Sequence, residues 1–118
     1  MFDDDAVGVL NERAVEAIRA GDRAAAAALL AEALALDERS VRTIVHVGNM
    51  LLEEGAVDEA IAHYEAALRL DDRYAPAHHN LGVALRRRGD RAASVRHLRR
   101  ATRLEITAWV NRRRRRRA

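Results

Sequence analysis

The chain has 118 residues, 49% of them apolar but only 3% aromatic, with no cysteine and a formal net charge of +3. That length holds one domain with a core of Ala, Leu, Val and Ile. The missing thiols exclude disulfides, thiolate nucleophiles and Cys-type zinc sites. The opening Met-Phe-Asp-Asp-Asp has the wrong charge for a signal peptide, and no apolar run approaches the ~20 residues that span a bilayer, so a cytoplasmic protein without membrane contact is expected.

The charge is unevenly placed. Residues 1–72 carry 16 acidic residues against 6 arginines, a balance of −10, and residues 73–118 carry 2 against 15, a balance of +13. All 21 basic residues are arginine, a bias that G+C-rich coding explains together with the excess of alanine. Frequent alanine, a single proline and few β-branched runs favour helix throughout.

Glycines at 21, 55 and 89 set a period of 34, which divides the chain into copies at 7–40, 41–74 and 75–108. Such a period marks helix–turn–helix units that bury their apolar faces only by stacking. The first predicted helix carries Leu10, Arg13, Ala14 and Ala17 and stops at Gly21. Asp22 then caps a second helix with Ala26, Leu30, Ala33 and Leu34 on one face. Ser40 caps a third helix, with Ile44, Val47, Gly48 and Leu51, which ends at Gly55. Ala60, Tyr64, Ala67 and Leu68 follow on the fourth, where Ala56 replaces the capping aspartate and Asp58 acts only through the helix dipole. Pro76 opens the fifth, with His78, Leu81, Gly82 and Leu85, and Gly89 closes it. Asp90 is placed to cap the sixth, which carries Ser94, Leu98, Ala101 and Thr102. No Gly or Pro follows, so this helix is expected to run past the repeat to about Asn111, leaving 112–118 as an arginine-rich tail. Trp109 is read as covering the exposed end of the core, with anchoring of a partner as the alternative.

These residues resemble the tetratricopeptide repeat proteins. Val47-Gly48, Leu81-Gly82, Ala60, Tyr64 and Ala67 match the family pattern, and three copies in register cover 102 of the 118 residues. The family's large first aromatic is absent, Glu38, Asp72 and Ile106 stand in place of its inter-repeat proline, and Arg13 replaces a buried leucine. The resemblance implies an all-α, right-handed solenoid of three repeats with the last helix extended.

Enzymatic chemistry finds little support. Ser40 and Ser94 are a cap and a core position, no glycine-rich phosphate loop exists, and no histidine pair has the i, i+4 spacing of a helical zinc site. No catalytic residue, metal or cofactor is expected. The resemblance implies a non-catalytic interaction module, an adaptor or small subunit, binding a peptide or helix of a protein partner in a concave groove. Mapped by repeat offset, the groove presents Asn11, Val15 and Ile18, then Arg42, Val45, Asn49 and Leu52, then His79, Val83 and Arg86, with an apolar middle. The family's carboxylate-clamp positions fall on Asn11, Val15, His46, Pro76 and Asn80, none of them lysine or arginine, so a chaperone-tail receptor is not expected. Arg96, Arg99, Arg100 and Arg103 lie on one face of the sixth helix. Arg112 and Arg113 begin a run of like charges expected to stay disordered until an anion neutralises it. That basic face fits an acidic partner first, nucleic acid second, and head-to-tail self-association of oppositely charged halves third. Trp109 is the only aromatic beside it, which counts against sequence-specific recognition but not against plain phosphate contact.

Overall fold

A computed structural model describes residues 4–117, with side chains from Ala6 onward. The acidic start at Asp3 and the last tail residue, Ala118, lie outside the described residues. Six helices follow in order: α1 Asp4–Arg19, α2 Arg23–Leu36, α3 Val41–Glu53, α4 Val57–Leu70, α5 Ala75–Arg88 and α6 Arg91–Arg117. No strand occurs among the described residues, and none of these helices is long and apolar enough to cross a membrane.

The turns inside the three repeats are copies of one another. Gly21, Gly55 and Gly89 have φ of 80°, 85° and 97°, which an L side chain adopts only with strain. At each, the following residue's N–H reaches back to a carbonyl five residues earlier at 2.9 Å: Asp22 to Ala17, Ala56 to Leu51 and Asp90 to Leu85. The glycine N–H bonds three residues back at 3.0 Å. This pattern ties off the orphan carbonyls of α1, α3 and α5 and reverses the chain. Asp22 then accepts from Ala25 N at 3.0 Å and Ser40 from Thr43 N at 3.3 Å, as expected of caps. Asp90 differs: its carboxylate takes the Arg88 guanidinium at 2.7 Å, and no backbone N–H among the described residues donates to it.

Aspartates make the turns between repeats. Asp37 Oδ1 accepts from Arg39 N and Asp71 Oδ1 from Arg73 N, each at 3.0 Å, closing α2 and α4 without the usual proline. Glu105 occupies the same offset in the third copy. Its longer side chain suits a helix interior better than this short turn. α6 accordingly continues for 27 residues, to Arg117 and not to Asn111, and crosses the expected boundary at 111–112 without a break. The arginine run is helical among the described residues, contrary to the expected disorder. Arg is a good helix former, each added residue extends an existing helix cheaply, and basic side chains complement the C-terminal dipole.

Within each repeat the helices pack as antiparallel pairs. The backbones of α1 and α3, and of α3 and α5, approach each other closely, whereas those of α2 and α4, and of α4 and α6, do not. The first helices therefore converge on an inner face and the second helices fan out on an outer one, the curvature of a helical solenoid. The main core joins Val45, Leu52, Ile61, Tyr64, Leu81 and Leu85, and a smaller cluster holds Ala14, Ala26, Leu30 and Met50. The radius of gyration is 15.3 Å, above the ~13.5 Å of a compact chain of this length, as an open array with a protruding helix requires.

Candidate partner-binding surfaces

α3 lies at the centre of the inner face, held at its C-terminal end by arginines from both neighbours. Arg23 Nη2 donates to Met50 O at 3.2 Å and Arg87 Nη1 to Leu52 O at 3.1 Å. Arg23 also pairs with Glu53 and Glu54, while Arg88 bridges Asp58 and Asp90. All but Arg88–Asp90 cross repeat boundaries, so part of the arginine excess fixes the stacking of the array.

The predicted groove residues separate into three groups. Arg42, His79 and Arg86 are exposed, and Val15, Ile18, Asn49 and Val83 are half-buried. Asn11, Val45 and Leu52 are buried, at 0%, 3% and 8% exposure, and cannot present side chains to a partner. The Asn11 amide donates to Val7 O and Thr43 Oγ1, both at 2.9 Å, and Thr43 Oγ1 donates on to Ser40 Oγ at 2.7 Å. That chain of bonds fastens α1 to the start of α3. Val45 and Leu52 join the main core with Ala77 and Ala84, whose small side chains let α5 close over them. The middle of the inner face is therefore polar, not apolar as expected.

Asn49 occupies that middle. Tyr64 Oη donates to its Oδ1 at 2.6 Å and Asn80 Nδ2 donates to the same oxygen at 2.9 Å, linking α3, α4 and α5. Two donors converging on one atom fix the amide orientation. The Asn49 N–H2 makes no hydrogen bond among the described residues and is not shut off from solvent. The neighbouring His46 differs, with its Nε2 buried and unpartnered. Desolvation and then the Arg42 charge hold its pKa below the ordinary histidine value.

On α6, Arg96, Arg99, Arg103, Arg112 and Arg113 are exposed and Arg100 is half-buried. Among the described residues the last buried one is Ala101. Trp109 lies two turns further on, 53% exposed, with the Arg113 guanidinium 5.0 Å from its ring. It does not cover the core, which corrects the first reading of this residue. Val95 and Ile106 are also exposed, at 43% and 57%.

A histidine pair lies outside the i, i+4 spacing considered in the sequence. His78 and His97 stack, with ring centroids 5.3 Å apart and Nδ1 atoms at 3.0 Å. His78 Nε2 lies 2.8 Å from Asp72 O, which can only accept, so Nε2 donates, and in the neutral ring Nδ1 is left to accept from His97. The hairpin turn at Gly89 brings these positions level, a signal the antiparallel pairing already contained. Among the described residues no cluster of three His, Asp or Glu is placed to hold a metal.

A TPR repeat model matches residues 48–89, and a second tetratricopeptide repeat model matches 77–116. No curated protein matches the chain. Among solved structures, the chain is similar to YrrB, described as a TPR protein with an unusual peptide-binding site, at 22% identity and a TM-score of 0.71. It is similar to MamA at 20% and 0.73, and to the Yersinia enterocolitica type III secretion translocator chaperone SycD at 21% and 0.75. These likenesses cover 85%, 86% and 92% of this chain. The chain spans only 52% of the YrrB chain and 60% of the MamA chain, but 86% of SycD. With one 34-residue register recurring in its residues, its turns and its stacking, the chain belongs to the tetratricopeptide repeat proteins.

Proposed function

We propose that this chain is a non-catalytic protein-interaction module, an adaptor or small subunit of an assembly, that takes a partner's peptide or helix along the inner face of α1, α3 and α5. The observation that carries this reading is the Asn49 amide, clamped through its oxygen by Tyr64 and Asn80 with its N–H2 still accessible. A donor held in place by two structural bonds loses little entropy on meeting a backbone carbonyl. Arg42, His79 and Arg86 are exposed around the face, which favours an acidic peptide. The similarity to a peptide-binding TPR protein and to a chaperone agrees with a protein ligand.

The test is affinity capture of partners from native extract, with and without nuclease, by the unaltered chain and by an Arg42→Glu/Arg86→Glu variant. Both arginines are exposed, so the variant should fold normally. A nuclease-resistant protein partner lost on charge reversal supports the reading; retention of that partner moves the site off this face.

The arginine helix favours a second reading, non-specific contact with nucleic acid. Residues 112–117 are all exposed on a helix that carries few opposing charges. Capture abolished by nuclease, with binding that falls steeply as salt rises, would put this reading first.

A further inference from the structure

The seams between repeats show how this chain receives a helix. α3 seats on α2 through Val47 and Met50, which pack with Leu30, and α5 seats on α4 through Leu81 and Ala84, which pack with Tyr64. Moving the receiving stripe along by the period takes Leu30 to Tyr64 and then to Leu98, and Ala27 to Ile61 and then to Val95. Leu30, Tyr64 and Ile61 are 1%, 0% and 4% exposed, although Ala27 stays exposed beside α3, while on α6 Leu98 is half-buried and Val95 43% exposed. Leu98, Arg99, Thr102, Arg103 and Ile106 line an open depression of about 370 Å³ along this part of α6. The end of the array thus repeats, on α6, the surface that α2 and α4 each offer to the next helix.

Three features of that surface specify an occupant. Its apolar line, Val95, Leu98 and Ile106, calls for an amphipathic helix. Its flanks are basic, with Arg99 and Arg103 on the rim and Arg112 and Arg113 beyond. A helix in solenoid register runs antiparallel to α6, as each existing helix does to the one before it. Its N-terminus therefore lies beside the arginine overhang. Because that end already carries positive dipole charge, it sits there favourably only with acidic residues in its first turn.

We infer that the outer face of α6 is a second docking surface, which receives an amphipathic partner helix with an acidic first turn and acidic flanks, stacked in the place of a fourth repeat's first helix. It stands independently of the inner face. α1 of a second copy meets the charge requirement, with Asp4 and Asp5 in its first turn, but fails the packing one. At the offsets of Val47 and Leu81, α1 carries Arg13, and at those of Met50 and Ala84 it carries Glu16. Stacking α1 on α6 would therefore press an arginine onto a basic, apolar seam.

The probe is a synthetic helical peptide of 14 residues, the length of α5. It has leucines on one face, Asp and Glu in the first turn and Glu on both flanks, and is compared with a peptide of the same composition but scattered leucines. Binding is followed by Trp109 fluorescence and by calorimetry at about 0.15 M salt. The patterned peptide should bind and shift Trp109 emission to the blue. It should weaken by about tenfold or more with Val95→Glu/Ile106→Glu, whose circular dichroism should be unchanged because both side chains are exposed. Affinity that falls with Arg42→Glu/Arg86→Glu but not with Val95→Glu/Ile106→Glu would place the peptide on the inner face and overturn the inference. Equal binding of the two peptides, or equal binding by the α6 double variant, overturns the inference. So does tight binding of an oligouridylate by a chain that ignores the peptide, which would make α6 a phosphate-binding face. A dimer in sedimentation that the double variant abolishes would assign the surface to a second copy and likewise overturn it.

Discussion

Gly48 and the Tyr64 ring are in direct apposition: a Cβ at Gly48 would stand 2.6 Å from Tyr64 Cε1. The ring cannot retreat, because Tyr64 is fully buried and its hydroxyl is bound to Asn49. Gly82 repeats the arrangement on α5, with Leu98 Cγ 2.7 Å from a built Cβ and Ser94 Oγ donating to Gly82 O at 2.6 Å. The glycine inside each of these helices exists to let its partner helix approach.

Gly48→Ala should therefore destabilise the fold. Overpacking costs about 1–3 kcal/mol and better helix propensity returns about 1 kcal/mol, for a net loss of up to about 2 kcal/mol. Gly8→Ala on α1 is the control, since nothing lies within 4 Å of a Cβ there, and it should gain up to about 1 kcal/mol. Urea denaturation at constant m-value measures both. Equal effects at the two sites would contradict the packing argument.

Tyr64→Phe should cost about 0.5–1.5 kcal/mol near neutral pH by removing one donor from Asn49. It should also change the alkaline limb. Burial is the main reason the Tyr64 phenol is pushed up to about 12, from 10.0. The fold favours the neutral phenol, so its contribution is complete below pH 10.0 and is lost as pH rises toward about 12. Burial raises Tyr74 as well, so Tyr64→Phe should flatten the alkaline decline without removing it. An unchanged alkaline slope would count against burial of this phenol.

Acid should weaken the fold through two histidines. His46 is lowered by desolvation and then by Arg42. His97 is lowered by desolvation, then by His78 and Arg96, with Glu65 opposing. Both are favoured neutral in the fold, so their stabilisation is present above pH 6.5 and declines as pH falls through their lower folded values. Melting temperature measured across this range at fixed ionic strength should fall less steeply in His97→Gln. A profile identical to that of the unaltered chain would refute the assignment.

Much of this fold was legible because the repeat makes three independent statements of the same thing. Gly21, Gly55 and Gly89 located every turn within a repeat, and Asp22 and Ser40 act as the caps they were read to be. The end of α6 was not legible from like-charge repulsion, because helix propagation outweighs it and Glu105, unlike Asp37 and Asp71, makes no turn. The inner face was only partly legible. Repeat offset assigns a side of a helix, but how far that side is covered depends on the neighbouring helix's side-chain size. Ala77 and Ala84 brought α5 over Val45 and Leu52, while Arg42, His79 and Arg86 stayed open. Asn11 was likewise drawn inward by Thr43, a partner 32 residues away.

Leu52 separates a core role from a binding role. At 8% exposure within the main core cluster, it sits where a carboxylate would lose its hydration without gaining a partner. Its own carbonyl meanwhile accepts from Arg87 Nη1 at 3.1 Å. That guanidinium is spent on the backbone at the end of α3, so it offers the new charge little compensation. Leu52→Glu should cost about 3 kcal/mol or more and broaden or abolish the cooperative transition. Arg86→Glu, on the exposed side of α5, should shift stability by no more than about 0.5 kcal/mol. Partner binding lost in both variants, with helicity and melting retained only in Arg86→Glu, is the expected pattern. A Leu52→Glu chain that melts like the unaltered protein would return Leu52 to the open groove and remove it from the core.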